Sequence, residues 1–162
     1  MTVQERVEQI YQDERERIYA YLVQFGLPAA GAQELTQDTF LRLYLEMQKG
    51  DSIENPRAWL YRVAHNLALR SRERESRFER LDPEWGHADH RPDPERALLE
   101  RSQQFALHRA VLDLSPQQRN CLHLRVQGLR YREIAETLGI STSAVSEFLR
   151  RAAVRLKEAV NG

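Results

Sequence analysis

The thirty residues from Gly128 to Lys157, GLRYREIAETLGISTSAVSEFLRRAAVRLK, constrain the fold of this chain more than any other stretch. The pattern predicts a helix from about Tyr131 to Leu138, ended by Gly139, which can take the positive φ that a helix end needs. Ser141 or Thr142 can then cap a second helix. Ile134, Ala135, Leu138, Ile140, Val145, Leu149, Ala152 and Leu156 recur at helical spacing and would form one small core. Together these are the marks of a helix-turn-helix, the smallest unit that puts a rigid helix into a DNA major groove. The outer face of the second helix carries Ser143, Ser146, Glu147, Arg150, Arg151 and Arg155. An ordinary helical hairpin with a solvated face fits the same pattern.

The rest of the chain also reads as helix. Val7, Ile10, Tyr11, Ile18, Tyr21, Leu22 and Phe25 make an apolar stripe over residues 3–25, broken by Gly26-Leu27-Pro28. A second helix over 29–48 carries Leu35, Phe40, Leu41, Tyr44 and Leu45 and stops at Lys49-Gly50-Asp51-Ser52. Asn55-Pro56 starts a third, over 56–78, with a capping residue followed by proline at the first helical position. It is apolar through Trp59, Leu60, Val63, Leu67 and Leu69, then becomes RSRERESRFER, too polar for a core. Residues 81–95 hold three of the six prolines and five acids and read as an extended linker. A further helix begins near Arg96. Ser115, Pro116 and Gln118 form a capping box with proline at the first helical position, opening a helix to about Val126. The fold class is therefore all-α: two small helical domains, 1–80 and 97–162, joined by an acidic linker, 81–96, with the helix-turn-helix in the second.

A net charge of zero conceals segregation. Residues 1–54 carry 5 basic and 10 acidic groups, and residues 55–80 carry 7 and 3. Residues 81–100 carry 2 and 6, and residues 101–162 carry 10 and 5. Two basic segments separated by an acidic one suit a protein that touches DNA at two places. No apolar run approaches the ~20 residues of a membrane span, so no membrane insertion is expected. The acidic, amphipathic N-terminus does not read as a signal peptide. The single Cys121 fits a reducing cytoplasm.

With these residues in view, nearly the whole chain resembles an extracytoplasmic-function sigma factor, the compact two-domain class of bacterial sigma factor in the sigma-70 family. AQELTQDTFLRLY resembles the family's core-polymerase-binding stretch, and PRAWLYRVAHNLAL its promoter-melting, −10-reading helix. LSPQQRNCLHLRVQGLRYREIAETLGISTSAVSEFLRRAAVRL resembles its −35-reading domain. The resemblance implies that Glu34, Leu35, Gln37, Asp38, Phe40 and Leu41 dock on the polymerase β′ subunit, as an amphipathic helix with apolar anchors can. Phe40 also reads as core. By the same resemblance Asn55, Arg57, Trp59, Arg62, His65, Asn66 and Arg70 belong to the −10 site. The Lys49–Ile53 loop, with Lys49, Asp51 and Ser52, would receive a flipped base. Arg132, Ser141, Thr142, Ser143, Ser146, Glu147, Arg150, Arg151 and Arg155 would meet −35 DNA. The chain departs from the family pattern at Ser146 and Phe148, where Lys and Arg are common, and at Ala153 and Val154, where later basic positions are reduced. His65 and Arg70 stand where the family often has Arg and an acid.

The resemblance implies partners too: core RNA polymerase through its β′ and β subunits, promoter DNA and an anti-sigma factor. It implies no cofactor and no enzymatic activity; melting would draw on binding energy, at a few kcal/mol per unstacked base. No phosphate loop, nucleophile elbow or carboxylate pair argues otherwise. His87, His90, Asp89 and Asp93 could suggest a metal, but the linker supplies no fixed element to hold one. Two other readings stand beside this one. A helix-turn-helix regulator acting without polymerase would share LSPQQR and GLRYREIAETLGIS, but lacks WLYRVAHN. A sigma-like interaction protein with weak DNA binding would account for Ser146 and Phe148.

Overall fold

A computed structural model describes residues 1–50, 52–81 and 103–161. Among them are seven helices and no strand. These are α1 (Val3–Phe25), α2 (Ala29–Gln48), α3 (Pro56–Leu81), α4 (Gln103–Leu112), α5 (Pro116–Val126), α6 (Tyr131–Leu138) and α7 (Thr142–Asn161). Helices α1–α3 form one compact unit; α4, α5 and α7, with Tyr131–Ala135 of α6, belong to another. The expected linker and the helix start near Arg96 lie outside the described residues.

In the first unit, α1 begins at a capping box. Glu5 N–H donates to Thr2 Oγ1 and Thr2 N–H donates to the Glu5 carboxylate, both at 3.1 Å. Its apolar stripe is buried from Ile18 through Tyr21, Leu22 and Phe25. Gly26 ends it with φ 117°. A side chain there would be strained, and its Cβ would lie 2.8 Å from Arg72 Nη2. That guanidinium donates to the Phe25 carbonyl at 2.6 Å and covers the Phe25 ring at 4.3 Å. One arginine of α3 therefore satisfies an orphan carbonyl at the end of α1.

α2 packs on α1 through Ala32, Thr36, Thr39, Phe40, Leu43 and Met47. The two buried threonine hydroxyls are satisfied within the helix, on the carbonyls of Ala32 and Leu35 at 2.7 Å each. Leu41 and Leu45, expected in the apolar pattern, instead point outward and are about half exposed. The same holds for Leu69 on α3. Each of these helices has more apolar positions than one buried face can take. α3 buries Leu60, Tyr61, Ala64, His65, Leu67 and Ala68. Tyr61 meets Tyr21 edge to face at 5.3 Å. Burial pushes the Tyr61 phenol well above its usual range, with the Glu14 charge adding to the effect.

In the second unit, α7 packs on α4 and α5. The core is Phe105, Leu114, Cys121, Leu124, Leu129, Ile134, Ala135, Val145 and Ala152. Cys121 is fully buried, and burial pushes its thiol up to about 11. The Ser115–Gln118 capping box forms with both bonds at 3.2 Å. Leu138, Ile140, Leu149 and Leu156, grouped with the core by spacing, are only half-buried. A unit this small has too little volume to cover every apolar position.

Candidate nucleic-acid interface

The turn between α6 and α7 is made by Gly139 at φ 68°, the left-handed conformation that a side chain disfavours. Ser141 then accepts from Ala144 N–H at 3.1 Å, so its hydroxyl caps α7. Val145 and Ala152 anchor the inner face of α7. The outer face follows from helical spacing. Ser143, Ser146, Arg150 and Arg151 are exposed on it, as are Thr142 and Ser141 at its start and Arg132 on α6. Phe148 is half-buried and contributes less to that surface. Arg155 is exposed too, but its guanidinium donates to the Asp113 carbonyl at 2.9 Å and so ties α7 to the end of α4.

Glu147 organises the middle of this face. Arg150 donates to it twice, at 2.7 and 3.1 Å, and Arg151 donates once, at 2.9 Å. These bonds hold the Glu147 carboxyl down at about 2 and push the Arg150 guanidinium up. All three side chains stay open to water.

On α3 the expected −10 residues divide. Arg62, Asn66 and Arg70 are exposed on one face, and Trp59 is half-buried beside it. Asn55 is exposed, but its side chain accepts from Ala58 N–H at 3.3 Å and caps the helix. Arg57 is drawn inward: its Nε donates to Glu14 at 2.8 Å, a carboxylate with only 9% of its side chain exposed. His65 is a correction. It is 4% exposed, lies 2.7 Å from the Tyr21 hydroxyl through Nδ1, and stacks edge-on to Phe25. Burial, with the Arg72 charge adding, lowers it to about 4. A neutral, buried imidazole bonded to tyrosine has no surface to offer a base or a phosphate, so His65 is a core residue. Its spacing from Tyr61 and Ala68, four and three residues away on the buried face, is the signal that places it there. Lys49 and Ser52 are exposed in the α2–α3 loop; Asp51 lies outside the described residues.

On α2, Glu34, Gln37 and Leu41 are exposed and Leu35 and Asp38 half-buried, with Asp38 accepting from Arg42 at 3.0 Å. Phe40 is buried against Tyr11, ring centroids 4.9 Å apart, and is removed from the docking surface as a core residue. Two features escaped the residue reading. Leu45 lies one turn from Leu41 and extends its apolar surface, a pairing legible from the i, i+4 spacing alone. Glu14 interrupts the α1 stripe between Tyr11 and Ile18, and a carboxylate on an apolar face needs a partner. Gln37 also lines a groove of about 330 Å³ between α1 and α2, with Tyr11, Arg15, Tyr19, Gln33 and Thr36. Among the described residues no three His, Cys, Asp or Glu come together as a metal site would need. No described helix is long and apolar enough to cross a membrane.

Comparison with known proteins meets this geometry at both units. The sigma-70 region 2 family matches residues 10–78, and the sigma-70 region 4 family matches residues 104–156. The RNA polymerase sigma factor YlaC of Bacillus subtilis is 30% identical over 162 residues, covering 98% of this chain and 94% of that protein. The ECF RNA polymerase sigma factor BldN of Streptomyces coelicolor is 32% identical, covering 88% of this chain and 56% of that protein.

The chain belongs to the extracytoplasmic-function sigma factors of the sigma-70 family.

The all-α architecture agrees with solved sigma factors. RpoE of Bartonella quintana, in complex with the anti-sigma factor NepR, superposes with a TM-score of 0.72 at 18% identity, covering 95% of this chain and 96% of that one. CnrH, in complex with the cytosolic domain of CnrY, gives 0.63 at 23%, covering 98% and 89%. As a sigma factor the chain directs RNA polymerase to promoters, and the reading as a regulator acting without polymerase is not favoured.

Proposed function

We propose that this sigma factor reads its promoter with two surfaces. Residues 97–162 recognise the −35 element, with α7 in the major groove. Ser143, Ser146, Glu147, Arg150 and Arg151 face the bases and phosphates there, while Arg132, Ser141, Thr142 and Arg155 flank them. Residues 1–80 engage core polymerase and the −10 element, joined to the first part by the linker 81–96. Arg62, Asn66 and Arg70 contact the −10 strand, with Trp59 and the loop at Lys49, Asp51 and Ser52 beside it. Asn55 and Arg57 set the start of α3 and act through it. Glu34, Leu35, Gln37, Asp38 and Leu41, extended by Leu45, form the polymerase-docking strip on α2.

The observation that carries this reading is the open outer face of α7. Its small and cationic side chains stand free of the core directly after a tight glycine turn. No cofactor takes part; the protein binds and orients, without enzymatic activity of its own, in the cytoplasm. An anti-sigma factor is a further partner, supported by the complexes in which the structural relatives were solved.

The test is transcription in vitro with purified core polymerase and fragmented genomic DNA from the source organism, mapping RNA 5′ ends. Discrete starts sharing two upstream elements are expected. No added starts, with the same core active under another sigma factor, would overturn the reading.

A further inference from the structure

Glu147 is the one acid between Glu136 and Glu158, and it stands in the middle of the face that the reading above turns toward a polyanion. Nothing about folding calls for it. Its side chain is 43% exposed and its partners Arg150 and Arg151 are 64% and 57% exposed. Ion pairs so open to water contribute little to stability. A neutral residue there would leave two arginines free for phosphates, so the acid works against non-specific affinity.

We propose that Glu147 determines the −35 specificity of this sigma factor by restraining Arg150 and Arg151 on all DNA and accepting a hydrogen bond from a base only on the right one. The proposal rests on α7 being the −35 reader. On a wrong sequence the arginines must leave Glu147 to reach phosphates, and the carboxylate is then left facing the duplex without a donor. On the right sequence an exocyclic amino group at the major-groove edge, cytosine N4 or adenine N6, supplies that donor. The carboxylate thus penalises wrong sites more than it aids the right one, which is how discrimination is raised without raising affinity. The carboxyl is held down at about 2, so it is charged at any working pH and the restraint does not switch off by protonation.

The test compares three full-length proteins assembled with core polymerase: wild type, Glu147→Gln, and Arg150→Ala with Arg151→Ala. Binding is measured across a salt series on a promoter mapped by in vitro transcription, and on the same promoter with its −35 element shuffled. Glu147→Gln is expected to tighten binding to the shuffled promoter roughly tenfold near 0.1 M salt and to steepen its salt slope by about one, the signature of one more phosphate engaged. Binding to the mapped promoter is expected to change less than about threefold. An equal gain on both promoters, no gain on the shuffled one, or a loss on both would overturn the proposal. In each of those cases, an arginine double variant that still weakens promoter binding leaves the −35 reading of α7 standing. If the arginine double variant binds both promoters as wild type does, the reading and the proposal fall together.

Discussion

α3 and α7 are both long helices with arginines and small polar groups on one side and a buried stripe on the other. They differ in what those polar groups hold. On α3, Arg57 and Arg72 reach back to α1, onto Glu14 and the Phe25 carbonyl, and His65 is buried against Tyr21. On α7, Arg150 and Arg151 pair, among the described residues, with a neighbour on the same helix, in water. Part of the polar set of α3 therefore orients the helix, whereas Arg62, Asn66 and Arg70 are exposed on its outer side. In α7 the orienting is done by Val145, Ala152 and Arg155, and the middle of the outer face is left whole. Residue type does not separate a contacting group from a positioning one; its place on the helix does.

The contrast is easiest to break at His65. Replacing it with Ala removes a buried ring and its bond to Tyr21, and should cost about 2–4 kcal/mol. Urea unfolding followed through Trp59 in a Trp85→Phe background reads this. A loss under ~0.5 kcal/mol would return His65 to the surface.

Acid tests the same residue without mutation. The unfolded imidazole titrates near 6.5 and the folded one near 4. As pH falls below 6.5 the unfolded chain takes up the proton first, so stability declines between these values and levels off below about 4. The loss reaches up to ~3 kcal/mol at one site. Unfolding midpoints against pH should show this window in wild type and a smaller one in His65→Ala, where His123, also lowered by burial, still contributes.

For α7 the expected effect is on binding and not on stability. Arg150→Ala with Arg151→Ala should weaken promoter binding by tens of fold, about 2 kcal/mol, and flatten the salt slope by about two. The unfolding midpoint should stay within ~0.5 kcal/mol. A large drop in stability would make these arginines positioning groups and erase the contrast.

Glu14→Gln sharpens the α3 side. It weakens the hold on Arg57 and should cost about 1–2 kcal/mol, a value kept low because Arg57 is partly in water. Open-complex formation at a mapped promoter should slow as well, because the start of α3 is less well placed; an unchanged rate would confine Glu14 to stability. The smallest effect is expected at Ser115→Ala, which removes the α5 cap for about 1 kcal/mol, read as a shift in thermal midpoint.

Much of this was legible in the sequence. Helices over 3–25, 29–48 and 131–138 stand where apolar spacing and breakers put them, because Gly26, Gly139 and the Ser115-Pro116 cap act locally on the backbone. The outer face of α7 was legible for the same reason: one helix, one period. The candidate −10 site was less so. His65 looked like a polar group on a DNA-reading helix; its spacing from Tyr61 and Ala68 is that of the buried face, and its packing against Tyr21 and Phe25 makes it core. Phe40 carried both readings until Tyr11 met it edge-on. Leu41 and Leu45 belonged to the apolar pattern and turned out to face solvent.

By itself the sequence determined the helices, their caps, the helix-turn-helix and the family. Each depends on near neighbours along the chain, where hydrogen bonds and side-chain period act over three or four residues. The tertiary structure decided which polar groups are spent inside: Glu14 with Arg57, Tyr21 with His65, and Arg72 with the end of α1. Those pairs join residues more than forty positions apart. No local pattern encodes such a meeting. It follows from how two helices cross, and the cost of burying an unpaired polar group then requires that the partners find each other.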